Sequence, residues 1–117
     1  MPDTLTVTLP YPPTANTYYR RQGARFFISS NGKRYKRRVW AEWVGLGCPK
    51  LSGRIGVRVG VHCPDLRVRD LDNICKPFLD SLKGHFFGDD GDVDELHLIR
   101  CEVRRGGLLV VTLRELI

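Results

Sequence analysis

Arg54-Ile55-Gly56-Val57-Arg58-Val59-Gly60-Val61-His62-Cys63 is the stretch from which the rest of the chain can be placed. Ile55, Val57, Val59, Val61 and Cys63 alternate with Gly56, Arg58, Gly60 and His62. A period of two belongs to a β-strand with one apolar face. Pro64 to Arg69 follow, and then Asp70-Leu71-Asp72-Asn73. The strand therefore delivers two carboxylates at its C-terminal end, on a rigid support ahead of a helix.

Upstream, Leu5, Val7 and Leu9 alternate with Thr4, Thr6 and Thr8, a half-buried first strand ended by Pro10, Pro12 and Pro13. Arg25 to Ser29 reads as a short strand pairing with Tyr18–Arg21 across Gly23. Ser29, Ser30 and Asn31 offer N-caps for a helix to about Val44, with Tyr35, Val39 and Trp43 at helical spacing and Lys33, Arg34, Arg37 and Arg38 on its other face. Both tryptophans, Trp40 and Trp43, read as core anchors.

Downstream, Ile74, Phe78 and Leu82 predict a helix from Asn73 to Leu82 that stops at Gly84, with Pro77 in its first turn or at a kink. Val93 to Val103 reads as a strand whose apolar parity changes midway, the sign of a bulge or of burial on both faces. Arg104-Arg105-Gly106-Gly107 reads as a hairpin turn into a last strand, Leu108 to Leu116. The fold class is α+β: residues 1–117 as a single domain, with a mixed, mostly antiparallel sheet and two main helices.

The chain is 42% hydrophobic and 27% charged, the balance of a soluble globule. No apolar run approaches a membrane span and the N-terminus lacks the basic and apolar regions of a signal peptide, so a cytoplasmic location without a membrane partner is expected. Cys48, Cys63, Cys75 and Cys101 show no C-x-x-C pair and read as buried reduced thiols. His62, His85 and His97 read as structural or surface groups.

The net charge is +6, and its distribution matters more than its size. Between Asp3 and Glu42 there is no acid, while Arg20, Arg21, Arg25, Lys33, Arg34, Lys36, Arg37 and Arg38 all fall there. Such a surface suits a phosphate backbone, although it also fits a merely solvated face. The candidate DNA contacts are Asn16, Arg20, Arg21, Lys33, Arg34, Arg37, Arg38, Arg67 and Arg69.

Most acids lie after residue 64. Asp70 and Asp72, joined by Asp90 from a separate Gly-flanked loop, repel one another unless a cation sits between them, and oxygen donors select a hard divalent ion. One or two Mg²⁺ would activate water and neutralise charge at a phosphate. Lys76, four residues after Asp72, is placed to contact the scissile phosphate. The competing structural reading makes Asp72 an N-cap, Lys76 its i,i+4 salt-bridge partner, and Asp89 and Asp90 turn residues.

Arg69-Asp70-Leu71-Asp72-Asn73, Lys76-Pro77, Leu79-Asp80-Ser81-Leu82, Gly84 and Asp89-Asp90 with Val93 resemble the signature of RusA-type Holliday junction resolvases. Leu9-Pro10-Tyr11-Pro12-Pro13, Asn16, Tyr18-Tyr19-Arg20 and the closing Arg105-Gly106-Gly107 resemble the same family, so the likeness spans nearly the whole chain. It implies a RusA-like fold and a homodimeric, Mg²⁺-dependent endonuclease, with Mn²⁺ able to substitute, that nicks four-way junction DNA symmetrically in recombination and repair. Its catalytic and metal-holding aspartates would fall on Asp70, Asp72 and Asp90, and its essential lysine on Lys76. Asp92 stands where the family often has Gln, and Asp89 is the rival of Asp90 as third ligand. The alternatives are a metal nuclease acting on flaps or single strands, and a non-catalytic basic DNA-binding module.

Overall fold

The computed structural model describes residues 4–116; Met1–Asp3, with the first acid bounding the basic stretch, and Ile117 lie outside them. The described elements, in order, are β1 (Thr4–Pro10), α1 (Ala15–Tyr18), β2 (Tyr19–Gln22), β3 (Arg25–Ile28), α2 (Ser30–Gly45), β4 (Arg54–His62), α3 (Cys75–Leu82), β5 (Val93–Arg100) and β6 (Leu108–Leu116). Short 3-10 turns cover Leu71–Ile74, just before α3, and Asp90–Asp92, just before β5.

The alternating stretch becomes β4, inside a four-stranded sheet of order β1-β6-β4-β5. Ile55, Val57, Val59 and Val61 are buried, and side chains of this kind each contribute roughly 1.5–3 kcal/mol when removed from water. They share one apolar cluster with Leu109, Leu113, Tyr35, Val39, Phe78 and Phe86. β4 runs antiparallel to β6 and parallel to β5, so the sheet is mixed and mostly antiparallel, as expected. β2 and β3 form a separate two-stranded ribbon with Tyr19 opposite Ile28, also as expected.

The expected hairpin between the last two strands does not form. Gly107 N donates to Arg104 O at 2.7 Å, so the turn is real, but β4 lies between β5 and β6. Leu109, Val111 and Leu113 make β6 apolar enough for an interior place, whereas β5, with Asp94, Glu95 and His97 exposed, suits a sheet edge. β5 ends at Arg100 rather than Val103, and its parity change is a register shift: Ile55 pairs with Val93 and Gly56 with Glu95, skipping Asp94.

The helix expected over 73–82 is divided. Leu71–Ile74 winds tightly and α3 begins at Cys75, which puts Pro77 in the first turn, where its missing N–H leaves no intrahelical bond unmade. Helix α2 starts as predicted, with Ser29 Oγ accepting from Gly32 N at 3.1 Å. Its buried stripe is Gly32, Tyr35 and Val39, continued by half-buried Trp43, whose indole donates to Pro49 O at 2.7 Å. Trp40 lies off that stripe and is 49% exposed, so it is no core anchor. Of the cysteines, Cys63 alone is buried; all four are free. His62 is buried with Nδ1 against Glu102 O at 2.8 Å, and His85 lies on the Trp43 ring.

The one-turn helix α1 is not foreshadowed in the sequence, yet it carries Tyr18 into the core and sets the start of β2. Ser29 N donates to Tyr18 O at 2.8 Å and Ser29 Oγ to Thr17 O at 2.5 Å, locking the α1–β2 corner onto α2. The contact is close: a Cβ on Gly32 would lie 2.6 Å from Tyr18 O. No helix among the described residues is long and apolar enough to cross a membrane.

Candidate active site

Because β4 and β5 are parallel, residues 63–92 must travel from the C-terminal end of one strand to the N-terminal start of the other. The candidate carboxylates are strung along that traverse. Arg69 is clamped just before the first of them: its guanidinium meets Asp65 Oδ1 at 2.5 Å, and its carbonyl accepts from Arg100 Nη2 at 2.6 Å. The hydrogen bond from Arg69, then one from the Arg67 backbone, hold Asp65 down to about 2. Asp70 follows in extended conformation, exposed, and lines a pocket of about 250 Å³ with Tyr11, Arg69 and Asn73. Burial, with Cys63 beside it, pushes the Tyr11 phenol up to about 12.

Lys76 emerges from the first turn of α3 and reaches two carboxylates, Asp80 Oδ1 and Asp90 Oδ2, each at 3.4 Å. Burial works against its charge, but Asp80 and Asp90 prevail and hold the ammonium above the ordinary lysine range. Asp80 is 7% exposed and is the centre of this group. Its Oδ2 accepts from Tyr19 Oη at 2.5 Å, and its Oδ1 also faces Lys83 Nζ at 3.3 Å. Burial alone would raise the Asp80 carboxyl; the Tyr19 hydrogen bond and the Lys76 and Lys83 charges outweigh it and hold it below the carboxylate range.

Asp80 and Tyr19 are the site residues that the sequence reading missed. The spacing of Lys76, Asp80 and Lys83 was a usable signal, since i,i+4 and i,i+3 neighbours share a helix face. Nothing local announces Tyr19, which arrives from another element 61 positions away.

The acids after residue 64 divide cleanly by partner. Asp65 serves Arg67 and Arg69, Asp94 pairs with Arg54, Glu95 with Arg114 and Glu102 with Arg104. Glu115 accepts from Ser52. Asp89 and Asp92 close a capping box around the turn before β5: Asp89 Oδ2 accepts from Gly91 N and Asp92 Oδ2 from Asp89 N. Among the described residues, Asp70 and Asp72 are left with no side-chain hydrogen bond or ion pair, and Asp90 keeps one oxygen, Oδ1, buried and without a partner. Leaving such an oxygen unsatisfied costs about 1–3 kcal/mol.

This division bears on the bland reading. The side chain of Asp72 caps neither the 3-10 turn nor α3. Lys76 turns to Asp80 and Asp90, because Asp72 sits in the 3-10 turn and the two residues do not share one helix. Asp89 is occupied as a cap, whereas Asp90 has a free oxygen.

The donor set fits a hard cation in chemistry: three carboxylates, one with an orphaned buried oxygen. They are not preassembled. Among the described residues no three His, Cys, Asp or Glu side chains stand close enough together to hold a metal ion. Asp72 and Asp90 both act on the Cys75 thiol, which burial first, and then these two charges, pushes upward. Asp70 lies off by the Tyr11 pocket.

The candidate DNA contacts divide too. Asn16, Arg20 and Arg21 gather at the α1–β2 corner. Lys33, Arg34, Arg37 and Arg38 are exposed along α2, with Arg34 bonded to Asn31 at 3.1 Å. Arg67 is exposed, its Asp65 contact a loose 3.7 Å. Arg69 is drawn into the clamp above and is the least available of the set.

Unpaired carboxylates and a lysine bordering an acid-free basic surface are the arrangement of a protein that handles polyanions. The chain belongs to the endodeoxyribonuclease RusA family, which matches residues 10–113. It is 40% identical to the crossover junction endodeoxyribonuclease of Enterobacteria phage HK97, over 92% of each chain. It is 36% identical to that of Shigella sonnei and 35% identical to that of Enterobacteria phage 82, over 97% of each chain in both cases.

Proposed function

We propose that this protein is a crossover junction endodeoxyribonuclease that hydrolyses phosphodiester bonds of four-way DNA junctions by paired symmetric nicks, in recombination and repair. The observation that carries the reading is the division of the acids, in a member of this family: among the described residues Asp70, Asp72 and one oxygen of Asp90 are left without partners, and the other oxygen of Asp90 meets Lys76. The names of the relatives support the junction as substrate.

In this reading Asp70, Asp72 and Asp90 hold Mg²⁺, with Mn²⁺ able to replace it. The ion supplies an acidified water and positive charge at the phosphate. Lys76, kept charged and aimed by Asp80, contacts the scissile phosphate, and Tyr19 fixes Asp80 from the other side. The acid-free surface over α2 and the α1–β2 corner tracks the phosphate backbone. The working unit is a homodimer, since paired nicks in strands of like polarity match two sites related by a two-fold axis.

The test is cleavage of a synthetic four-way junction beside a linear duplex of the same sequence, with Mg²⁺ or EDTA, for wild type and Asp70→Asn. Paired nicks in the junction alone, lost with EDTA or the variant, bear the reading out. Tight junction binding without cleavage under any metal defeats it and leaves a DNA-binding module.

A further inference from the structure

The β2–β3 hairpin carries the most exposed aromatic side chain of the described residues: Phe26 is 71% exposed, and Phe27 beside it is 44% exposed. Lone exposed apolar residues are ordinary. Phe26 differs because its surroundings hold it ready. Gly23, at φ +61°, makes the tight turn that places Arg21 directly opposite Phe26. Arg21 Nε donates to Gly23 O at 3.0 Å, and the guanidinium carbon stands 5.4 Å from the Phe26 ring centre. One face of the ring is thus backed by a tethered cation while the side chain stays largely in solvent.

Phe26 also walls a concavity of about 480 Å³ with Ala15, Asn16, Tyr19, Arg20 and Arg21. Tyr19 donates to Asp80, the partner of Lys76, so this concavity abuts the candidate active site. Charge selects the occupant. Arg20, Arg21 and Arg25 lie on the hairpin in a stretch with no acid between Asp3 and Glu42. A second copy docking here would set like charges face to face, whereas a polyanion would neutralise them. The flat ring, sequence-tolerant and flanked by arginines, has the chemistry of a base-stacking platform.

We propose that the β2–β3 hairpin is a DNA-engaging arm in which Phe26 stacks on an unpaired or splayed base, so that the protein distinguishes the open centre of a junction from continuous duplex. This rests on the junction-nuclease reading above. It adds a selectivity element that touches neither the carboxylates nor Lys76. A duplex has no free base face to offer, so Phe26 should matter little there, while the arginines bind both forms through phosphate.

The test uses the full chain carrying Asp70→Asn to hold DNA uncut, on a four-way junction with 2-aminopurine at the crossover, a duplex with one bulged 2-aminopurine, and a continuous duplex. Stacking on Phe26 quenches the bulged and crossover probes. Phe26→Ala is expected to remove that quenching and to weaken junction binding about tenfold, with duplex binding held within about twofold. Phe26→Trp restores both readouts, and Phe26→Leu, apolar but without a ring, does not.

Equal losses on junction and duplex, an unchanged probe signal with Phe26→Ala, or a change in oligomeric state by light scattering would each overturn the arm. The last result would assign the patch to a second copy. If the protein shows no preference for the junction, the substrate reading fails instead, and the bulged probe still decides whether Phe26 stacks on a base.

Discussion

The stretch from Arg20 to Arg38 and the stretch from Asp65 to Glu95 treat charge in opposite ways. In the first, among the described residues, no cation has a carboxylate partner; Arg21 and Arg34 bond only to neutral oxygens nearby. In the second, six of the nine acids are occupied, and among the described residues the exceptions are Asp70, Asp72 and half of Asp90. Unpaired cations on a solvated helix are unremarkable and tell only of a polyanionic partner. Unpaired acids among so many paired ones are selective. The fold satisfies Asp65, Asp80, Asp89 and Asp92 within one traverse, and on the reading proposed above the carboxylates it leaves alone are those whose partner comes from outside. On the proposed reading, the basic half reports the class of ligand, while the acidic half, sorted by partner, reports where chemistry would be done on it.

The comparison breaks hardest at the unpaired acids. Asp72→Asn and Asp90→Asn are expected to lower junction nicking about a thousandfold or more; Asp72→Asn should leave the melting temperature unchanged or raised, and Asp90→Asn, which loses only the partly exposed ion pair of Oδ2 with Lys76, should lower it slightly at most. Parallel nicking assays and thermal melts check this, and a large fall in melting temperature would make these aspartates structural.

Asp80 should behave in the reverse way. Asp80→Asn leaves Lys76 and Lys83 short of a partner and is expected to cost about 2–3 kcal/mol of stability at pH 7, by urea unfolding. The Asp80 carboxyl is held below the ordinary range in the folded state. Its contribution is therefore present above the unfolded value near 3.9 and lost as the pH falls through the folded one. The stability gap between wild type and Asp80→Asn should narrow on acidification below about pH 4.

Gly32→Ala sharpens the link between the two regions. Helix propensity alone favours alanine by about 1 kcal/mol. The added methyl, however, would meet Tyr18 O and Ile28 Cγ2, both at 2.6 Å, where α2 meets the α1–β2 corner. We expect a net loss of about 1–2 kcal/mol by urea unfolding, and lower nicking through displacement of Tyr19. The smallest effect belongs to the basic helix. Arg37→Ala and Arg38→Ala should leave stability unchanged, weaken binding to every DNA form alike, and each reduce the salt slope of binding by about one.

Much of the fold was legible because its signals are local. The alternation in β4, the cap at Ser29, the turn at Gly23 and the first-turn place of Pro77 all follow from residues within a few positions of one another. The pairing of β5 was not, because a Gly-Gly turn looks the same whether or not the strands it joins are neighbours. Only competition among strands for the places beside β4 sends β5 to the edge. Trp40 was misread because spacing on α2 says which residues share a face but not how wide the covered stripe is.

At the site, the residue types at Asp70, Asp72, Lys76 and Asp90 determined the chemistry on offer, since carboxylates and an amine keep their affinities for cations and phosphates wherever they are placed. Which acids are free to use it was decided by the tertiary structure. Asp89 and Asp90 are identical neighbours in sequence, and only the folded turn closes one into a capping box and leaves the other with Oδ2 on Lys76 and Oδ1 without a partner. Tyr19 and Asp80 meet from separate elements, and Phe26 gains its meaning only when Arg21 comes to lie across from it. Side-chain chemistry is written residue by residue, whereas satisfaction of a charge is a property of its surroundings, and those exist only once the chain is folded.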